Sequence, residues 1–538
     1  MVDAQATTSG KTVAVSMGRL AIAVLVFAIP LTVQAHGFAQ RYDLPVPLAL
    51  YVTGAAAAVA LSFVVIAFFV RGKRTVASYP RYNLLATPVG HLLASKLTIA
   101  LLRLISSGLL ILVIIAGLVG NTNPFRNIAP TTVWVIWWVG LAYVSGLFGN
   151  LWALINPWKT IYELAERIVK RLQRDARPGL CLAYPKWLGD WPAVLLFICF
   201  VWAELVWPSS DVPASLATAV ITYSLITWSG MFIFGKHIWL RHGEAFSLVF
   251  GFLARFAPSE VRVNNDTVCA DCSAADCRHS HVDCVNCHEC FEKATANVRE
   301  WNLRPWAVGL LTGKPIKVSS MVLVLVILSS VTFDGLLATP LWGKVAQWML
   351  LSEDLRPLVL LLQDVSGNAI AAVSTIALVA FLVMFQILYL LFSALMYIST
   401  PSQARTGVSI LEVARLFVLS LIPISLAYHL AHYLSFLLIV GQYMIPLASD
   451  PFGMGRDLFG TSLYMVNIGI VNARFVWITS VIAIVMGHIV AVYLAHVMAL
   501  RTFRNSHAAL RSQIPMLFLM VGYTMLSLWI LAQPIVET

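Results

Sequence analysis

The chain has 538 residues, 59% of them hydrophobic and 11% charged. Soluble globular chains carry about 25% charged residues, so this composition excludes an ordinary water-soluble domain. The 36 Lys and Arg exceed the 25 Asp and Glu by +11. These basic residues sit in short loops between apolar runs, which is a topology signal and excludes a nucleic-acid footprint.

At the N-terminus Lys11 and Arg19 precede the apolar run Leu20 to Val33, and Val33-Gln34-Ala35 supplies the small residues that suit signal peptidase. Residues 1–35 read as a signal peptide cleaved after Ala35, the alternative being an uncleaved first transmembrane helix. Either way the chain from His36 starts outside. Further apolar runs fall near 47–70, 98–119, 132–155, 192–208, 214–235, 319–340, 369–396, 411–443, 475–499 and 514–533. Crossing about 30 Å of hydrocarbon takes roughly 20 residues of helix, with every backbone group paired internally. Alternating crossings then put the loops with Arg71, Lys73 and Arg74, with Arg167, Lys170, Arg171 and Arg174, with Lys314 and Lys317, and with Arg501, Arg504 and Arg511 on one side. The excess of positive charge assigns that side to the cytoplasm.

The expected architecture is therefore all-α, a polytopic transmembrane helical bundle in the bacterial inner membrane, with lipid as its first partner. Residues 36–258 form the N-terminal transmembrane helices, 259–318 a small Cys-rich cytoplasmic loop, and 319–538 the C-terminal transmembrane helices. Thr160 to Arg174 has apolar residues at helical spacing and a basic face, as an interfacial helix does. Ala245 to Pro258 is too short to span, and is expected as a re-entrant or interfacial helix. No internal repeat suggests an inverted-repeat transporter.

Six of the eight cysteines are Cys269, Cys272, Cys277, Cys284, Cys287 and Cys290, interleaved with His279, His281 and His288. Paired CxxC units present thiolates at the spacing of a tetrahedral Zn²⁺ site, or alternatively of an iron–sulfur cluster. Cys284-Val285-Asn286-Cys287-His288 also matches the CxxCH haem-attachment pattern. Covalent haem is attached on the outer side, so a cytoplasmic loop favours zinc, in a closed structural site.

Ionisable side chains at membrane depth are costly and mark functional sites by default. Glu204 and Asp334 fall near the outer ends of their runs, His429 and His432 in an outer half, His488 near the middle of the next run, and His496 deeper. His429 and His432, three residues apart, are expected on one helix face, as the start of a His and carboxylate metal site for Zn or Cu. After cleavage, the α-amine and imidazole of His36 would chelate the same ion, with Asp43 as a further ligand or orienting group.

His36-Gly37-Phe38, the run Arg41-Tyr42-Asp43-Leu44-Pro45-Val46-Pro47-Leu48, Gly243-Glu244-Ala245-Phe246, Arg255-Phe256-Ala257-Pro258 and Phe333-Asp334-Gly335 resemble a bacterial and archaeal family of multi-pass membrane proteins commonly called fenitrothion hydrolases. The resemblance implies hydrolysis of a lipophilic organophosphorus triester that reaches an outward-facing site through the bilayer. A metal-bound water would be the nucleophile. In that reading His36, His429, His432 and His488 are ligands, and Asp334 or Glu204 is the base or orients a ligand. Two other classes stay open: a metal ion or proton-coupled transporter, and a b-type haem redox subunit. A second membrane subunit or a homo-oligomer is compatible with each.

Overall fold

The computed structural model describes residues 43–70, 79–173, 179–264, 266–270, 272–274, 284–402, 407–503 and 505–534. His36 and the signal segment, together with Cys277, His279 and His281, lie outside the described residues. Ten helical segments are long and apolar enough to cross a membrane: α1 (Leu48–Phe69), α2 (Lys96–Val119), α3 (Ile128–Leu147), α4 (Lys186–Leu205), α5 (Pro213–Phe234), α6 (Val318–Leu337), α7 (Ala369–Ser399), α8 (Ile410–Ser449), α9 (Ala473–Thr502) and α10 (Ser506–Ala532). This is the multi-pass all-α bundle that the apolar runs require. Side chains of Ser95, Asn368, Asn472 and Asn505 cap the first turns of α2, α7, α9 and α10, taking up amides that hydrocarbon could not satisfy.

Burial sorts the bundle. The apolar windows of α3, α6 and α8 are 72%, 78% and 72% buried, against 17% for α1, α2 and α7. The first three are therefore the protein centre, and the last three present their side chains to lipid. α8 and α9 cross closely at Gly487, where a Cβ would stand 2.5 Å from the Ala427 Cβ and 2.8 Å from the Pro423 carbonyl oxygen. Small residues at helix crossings are how membrane helices gain packing without a hydrophobic driving force.

Same-side loops meet, as alternating crossings demand. At one end the Asn121 amide bonds Phe452 O and the Ile128 amide bonds Pro451 O. At the other end β1 (Tyr82–Asn83) joins β2 (Ser259–Val263), β3 (Cys284–Val285) and β4 (Arg299–Leu303) in an antiparallel sheet of order β1-β4-β2-β3. This sheet, carrying the Cys-rich lobe, is an addition to the all-helical expectation. Glu292 fastens the lobe to the bundle, taking Lys159 at 2.6 Å and Arg103 at 2.8 Å.

Two shorter helices matter. Pro157–Leu172 starts where Asn156 caps the Lys159 amide. It lies at the lobe end with Leu164, Ile168 and Leu172 exposed, as an interfacial helix does. Ala245–Ala254, the segment expected as a re-entrant or interfacial helix, packs inside the bundle: Ala245, Phe246, Val249, Phe250 and Leu253 are buried, and Phe246 packs edge-on to Trp137 at 4.3 Å.

Candidate functional site

α6 and α8, both central, bring Asp334 against His432, with Nε2 to Oδ2 at 2.9 Å. Tyr433 donates its hydroxyl to the same Asp334 oxygen at 2.5 Å and lies 3.4 Å from Glu204 Oε1, which α4 contributes. His432, Asp334, Tyr433 and Glu204 thus form one polar chain across three helices. Beside it is a cavity of about 10 Å³ lined by Trp138, Glu204, Leu253, Ser330, Ser425, His429 and Tyr433. That is room for about one water molecule. Trp138 comes from a π-helical stretch, Thr131–Gly140. Such wide turns are rare and concentrate at functional sites.

His429 does not join His432. Tyr433 packs its ring against both imidazoles, at 4.7 Å from each, and His429 turns toward Trp138 and Tyr143. The His429 Nε2 is buried without a hydrogen-bond partner, and the residue lines the cavity. His488 is also separate. Its Nδ1 faces Ile484 O at 2.8 Å and its ring lies 5.9 Å from Tyr523. Ser480, two turns before it, bonds Ala431 O, so the helical rise puts His488 about 12 Å further along the bundle than the His432 level. His496 bonds Val70 O and Gln513, tying α9 to α1 and α10 at the lobe end. Among the described residues, no three of His429, His432, His488, Asp334 and Glu204 offer ligand atoms within 4.8 Å of one another. Asp43 is described at the start of α1, whereas His36 is not.

The sequence reading assigned no role to Glu244. It is fully buried, and it accepts from the amides of Phe246 and Ser247, the Ser247 hydroxyl, the Tyr223 hydroxyl at 2.5 Å, Trp152 Nε1 and Asn156 Nδ2. It caps the short helix whose Leu253 lines the cavity. The only sequence signal was a carboxylate immediately before an apolar run, which is an N-cap signature.

The second centre is the thiol cluster. Cys269, Cys284 and Cys290 form one triad and Cys272, Cys287 and Cys290 another, each with sulfurs within 4.8 Å, so the cluster can hold a metal ion. Cys272 and Cys287 Sγ are 3.6 Å apart. Sulfurs around a tetrahedral zinc are separated by about 3.8 Å, given Zn–S of about 2.3 Å. A hydrogen bond from Cys284, then the Cys290 amide and the Arg241 charge, hold the Cys287 thiol down, while burial pushes Cys290 up. Burial opposes ionisation of Glu289, yet Lys293 and Ser273 hold its carboxyl down at about 2. Burial pushes His288 down to about 4, so it is a neutral imidazole at pH 7, and it belongs to neither triad.

Compared with known proteins, the chain matches no family model, no curated protein and no solved structure.

Proposed function

We propose that the chain is a proton transporter of the bacterial inner membrane, with Asp334 and His432 as its proton-binding pair and the Cys-rich lobe as a zinc-stabilised cytoplasmic element. One observation carries the reading: the hydrogen-bonded series of His432, Asp334, Tyr433 and Glu204, its two carboxylates half-buried, ends at a cavity sized for one water. An imidazole and a carboxylate in contact exchange a proton without exposing an uncompensated charge, which makes their presence at membrane depth tolerable. Tyr433 is placed to relay that proton to Glu204 and the cavity water. Lys170, Arg171, Lys314, Lys317, Arg501 and Arg511 flank the lobe end, so the positive-inside rule puts the lobe in the cytoplasm and Asp334 towards the outside.

The test is proton uptake by proteoliposomes under a potassium diffusion potential. Wild-type vesicles should exceed empty ones, and Asp334→Asn and His432→Ala should return to the empty rate while keeping a monodisperse elution profile. Wild-type vesicles no faster than empty ones, or an Asp334→Asn variant at full rate, would refute the reading.

A second reading is a metal-dependent hydrolase of lipophilic organophosphorus triesters. The unpartnered His429 Nε2 beside Glu204 favours it, because an imidazole nitrogen facing a carboxylate-lined cavity is half of a metal site. It ranks second because about 10 Å³ admits one water or ion and no triester. Chelator-sensitive hydrolysis of a nitrophenyl phosphotriester by protein in detergent would reverse the ranking.

A further inference from the structure

In a simple zinc knuckle the two cysteines of one CxxC bind the same ion, and four sulfurs stand at about 3.8 Å from one another. The lobe departs from this. Each CxxC is split between triads: Cys269 goes with one and Cys272 with the other, and Cys284 and Cys287 divide in the same way. Cys290 alone belongs to both triads, and it is completely buried at the centre of the lobe's small core. No four of the described thiols form a mutual group. A single ion held by four sulfurs would need one, whereas two ions sharing a sulfur draw three thiolates each from two triads that meet at that sulfur, the fourth position of each ion being open to a further ligand.

We propose that the lobe binds two divalent cations of the borderline-soft, filled-shell class to which zinc and cadmium belong, bridged by the Cys290 thiolate. Cys269 and Cys284 hold the first ion, and Cys272 and Cys287 the second. Binding deprotonates the thiols and releases their protons to solvent. Five thiolates against two divalent ions leave one negative charge. The Arg241 guanidinium, 3.9 Å from Cys272 and 3.8 Å from Cys287, and the Lys293 ammonium together offset that charge and the charge of the neighbouring Glu289 carboxylate. A single divalent ion would engage one triad and leave the thiols of the other protonated and without a metal. An iron–sulfur cluster would wedge sulfides and irons between the thiolates and hold them further apart than these triads stand.

The experiment uses the full chain, purified in detergent under reducing conditions, stripped with chelator and reloaded with cadmium alone. Elemental analysis should give two cadmium ions per chain, and cadmium NMR with a spin-active isotope should give two resonances coupled to each other through the shared sulfur. Cys269→Ser should retain one ion, and Cys290→Ser should lose the coupling and at least one ion. The wild-type count does not depend on any variant folding. Any wild-type count other than two, two uncoupled resonances, or a Cys290→Ser variant that keeps two coupled ions would overturn the proposal.

Discussion

Glu244→Ala tests whether the short helix Ala245–Ala254 is held by one carboxylate. The side chain caps the helix by accepting from the amides of Phe246 and Ser247 at 3.0 and 2.8 Å. Losing an N-cap costs about 1 kcal/mol. The substitution also strands three buried donors, the Tyr223 hydroxyl, Trp152 Nε1 and Asn156 Nδ2, each at about 1–3 kcal/mol when unsatisfied. The low ends together come to about 4 kcal/mol. Domains of 150–250 residues move by about 2–4 °C per kcal/mol and larger chains by less, so thermal melting in detergent should fall by about 4–8 °C. A cycle with Tyr223→Phe sharpens the test. Once the carboxylate is gone the phenol keeps only the neighbouring Thr227 hydroxyl, so removing it should cost less than in the wild type, and the double variant should fall short of the summed losses by about 1 kcal/mol or more. Unchanged melting in Glu244→Ala, or strictly additive losses, would show that the capping argument is wrong.

Glu260 is buried against Arg262, Arg304 and Tyr79 at 2.7–2.8 Å. Burial opposes its ionisation, yet those partners hold its carboxyl below the usual range. Its stabilisation is therefore complete above the ordinary glutamate value of about 4.3 and is lost as pH falls through the lower folded value. Melting curves of wild type and Glu260→Gln should differ at pH 7 and converge in acid; parallel curves would count against the pairing. Gly487→Leu should destabilise by about 1–3 kcal/mol through overpacking at the α8 and α9 crossing, whereas Gly54→Ala, with nothing within 4 Å of the new Cβ, should be neutral or stabilising by up to about 1 kcal/mol; equal melting shifts would refute the close approach. Glu292→Gln removes the charge that Lys159 and Arg103 share. Limited proteolysis should then cut residues 259–318 faster while the transmembrane fragments persist, and an unchanged cleavage rate would mean that the lobe is fastened elsewhere.

The crossings were legible because a spanning helix has one requirement, an apolar run of sufficient length, and composition alone meets it. Their ends were less so. The expected interfacial helix at Thr160 starts at Pro157, because Asn156 caps it and proline at the first helical position needs no amide partner. Length alone left the segment after Glu244 open between interfacial and re-entrant; its enclosure by Trp137 and Trp138 depends on tertiary packing that length does not encode. Topology suggested matching depths for Asp334, Glu204 and His432, and the structure brings these residues, with Tyr433, into one hydrogen-bonded chain. The shared face of His429 and His432 was readable from their spacing, but their separation was not, since it depends on where the Tyr433 ring packs. Glu244 was obscured by its setting. It follows Lys236, Arg241 and His242 at the end of a basic loop, where a carboxylate reads as solvated until the fold encloses it.

The same stretch of backbone serves both centres. Glu244 fixes the start of the short helix, Leu253 from its last turn lines the cavity beside Glu204 and His429, and the chain then passes through Pro258 into β2. Pro258 O accepts the Arg304 amide at 2.6 Å, and the Phe256 carbonyl accepts the Ala307 amide at 2.8 Å. β2 is therefore clamped to β4 as soon as it leaves the buried helix. On its other edge Val263 pairs with Cys284, a member of the first thiol triad. With a short helix capped at one end and a strand paired on both edges at the other, the segment has little backbone freedom to absorb displacement. A continuous, hydrogen-bonded stretch of backbone therefore runs from the partner of Cys284 along β2 to the helix whose Leu253 lines the cavity. The thiol cluster thus lies on the sheet that continues this short helix, with Cys284 hydrogen-bonded into it, rather than in a detached loop.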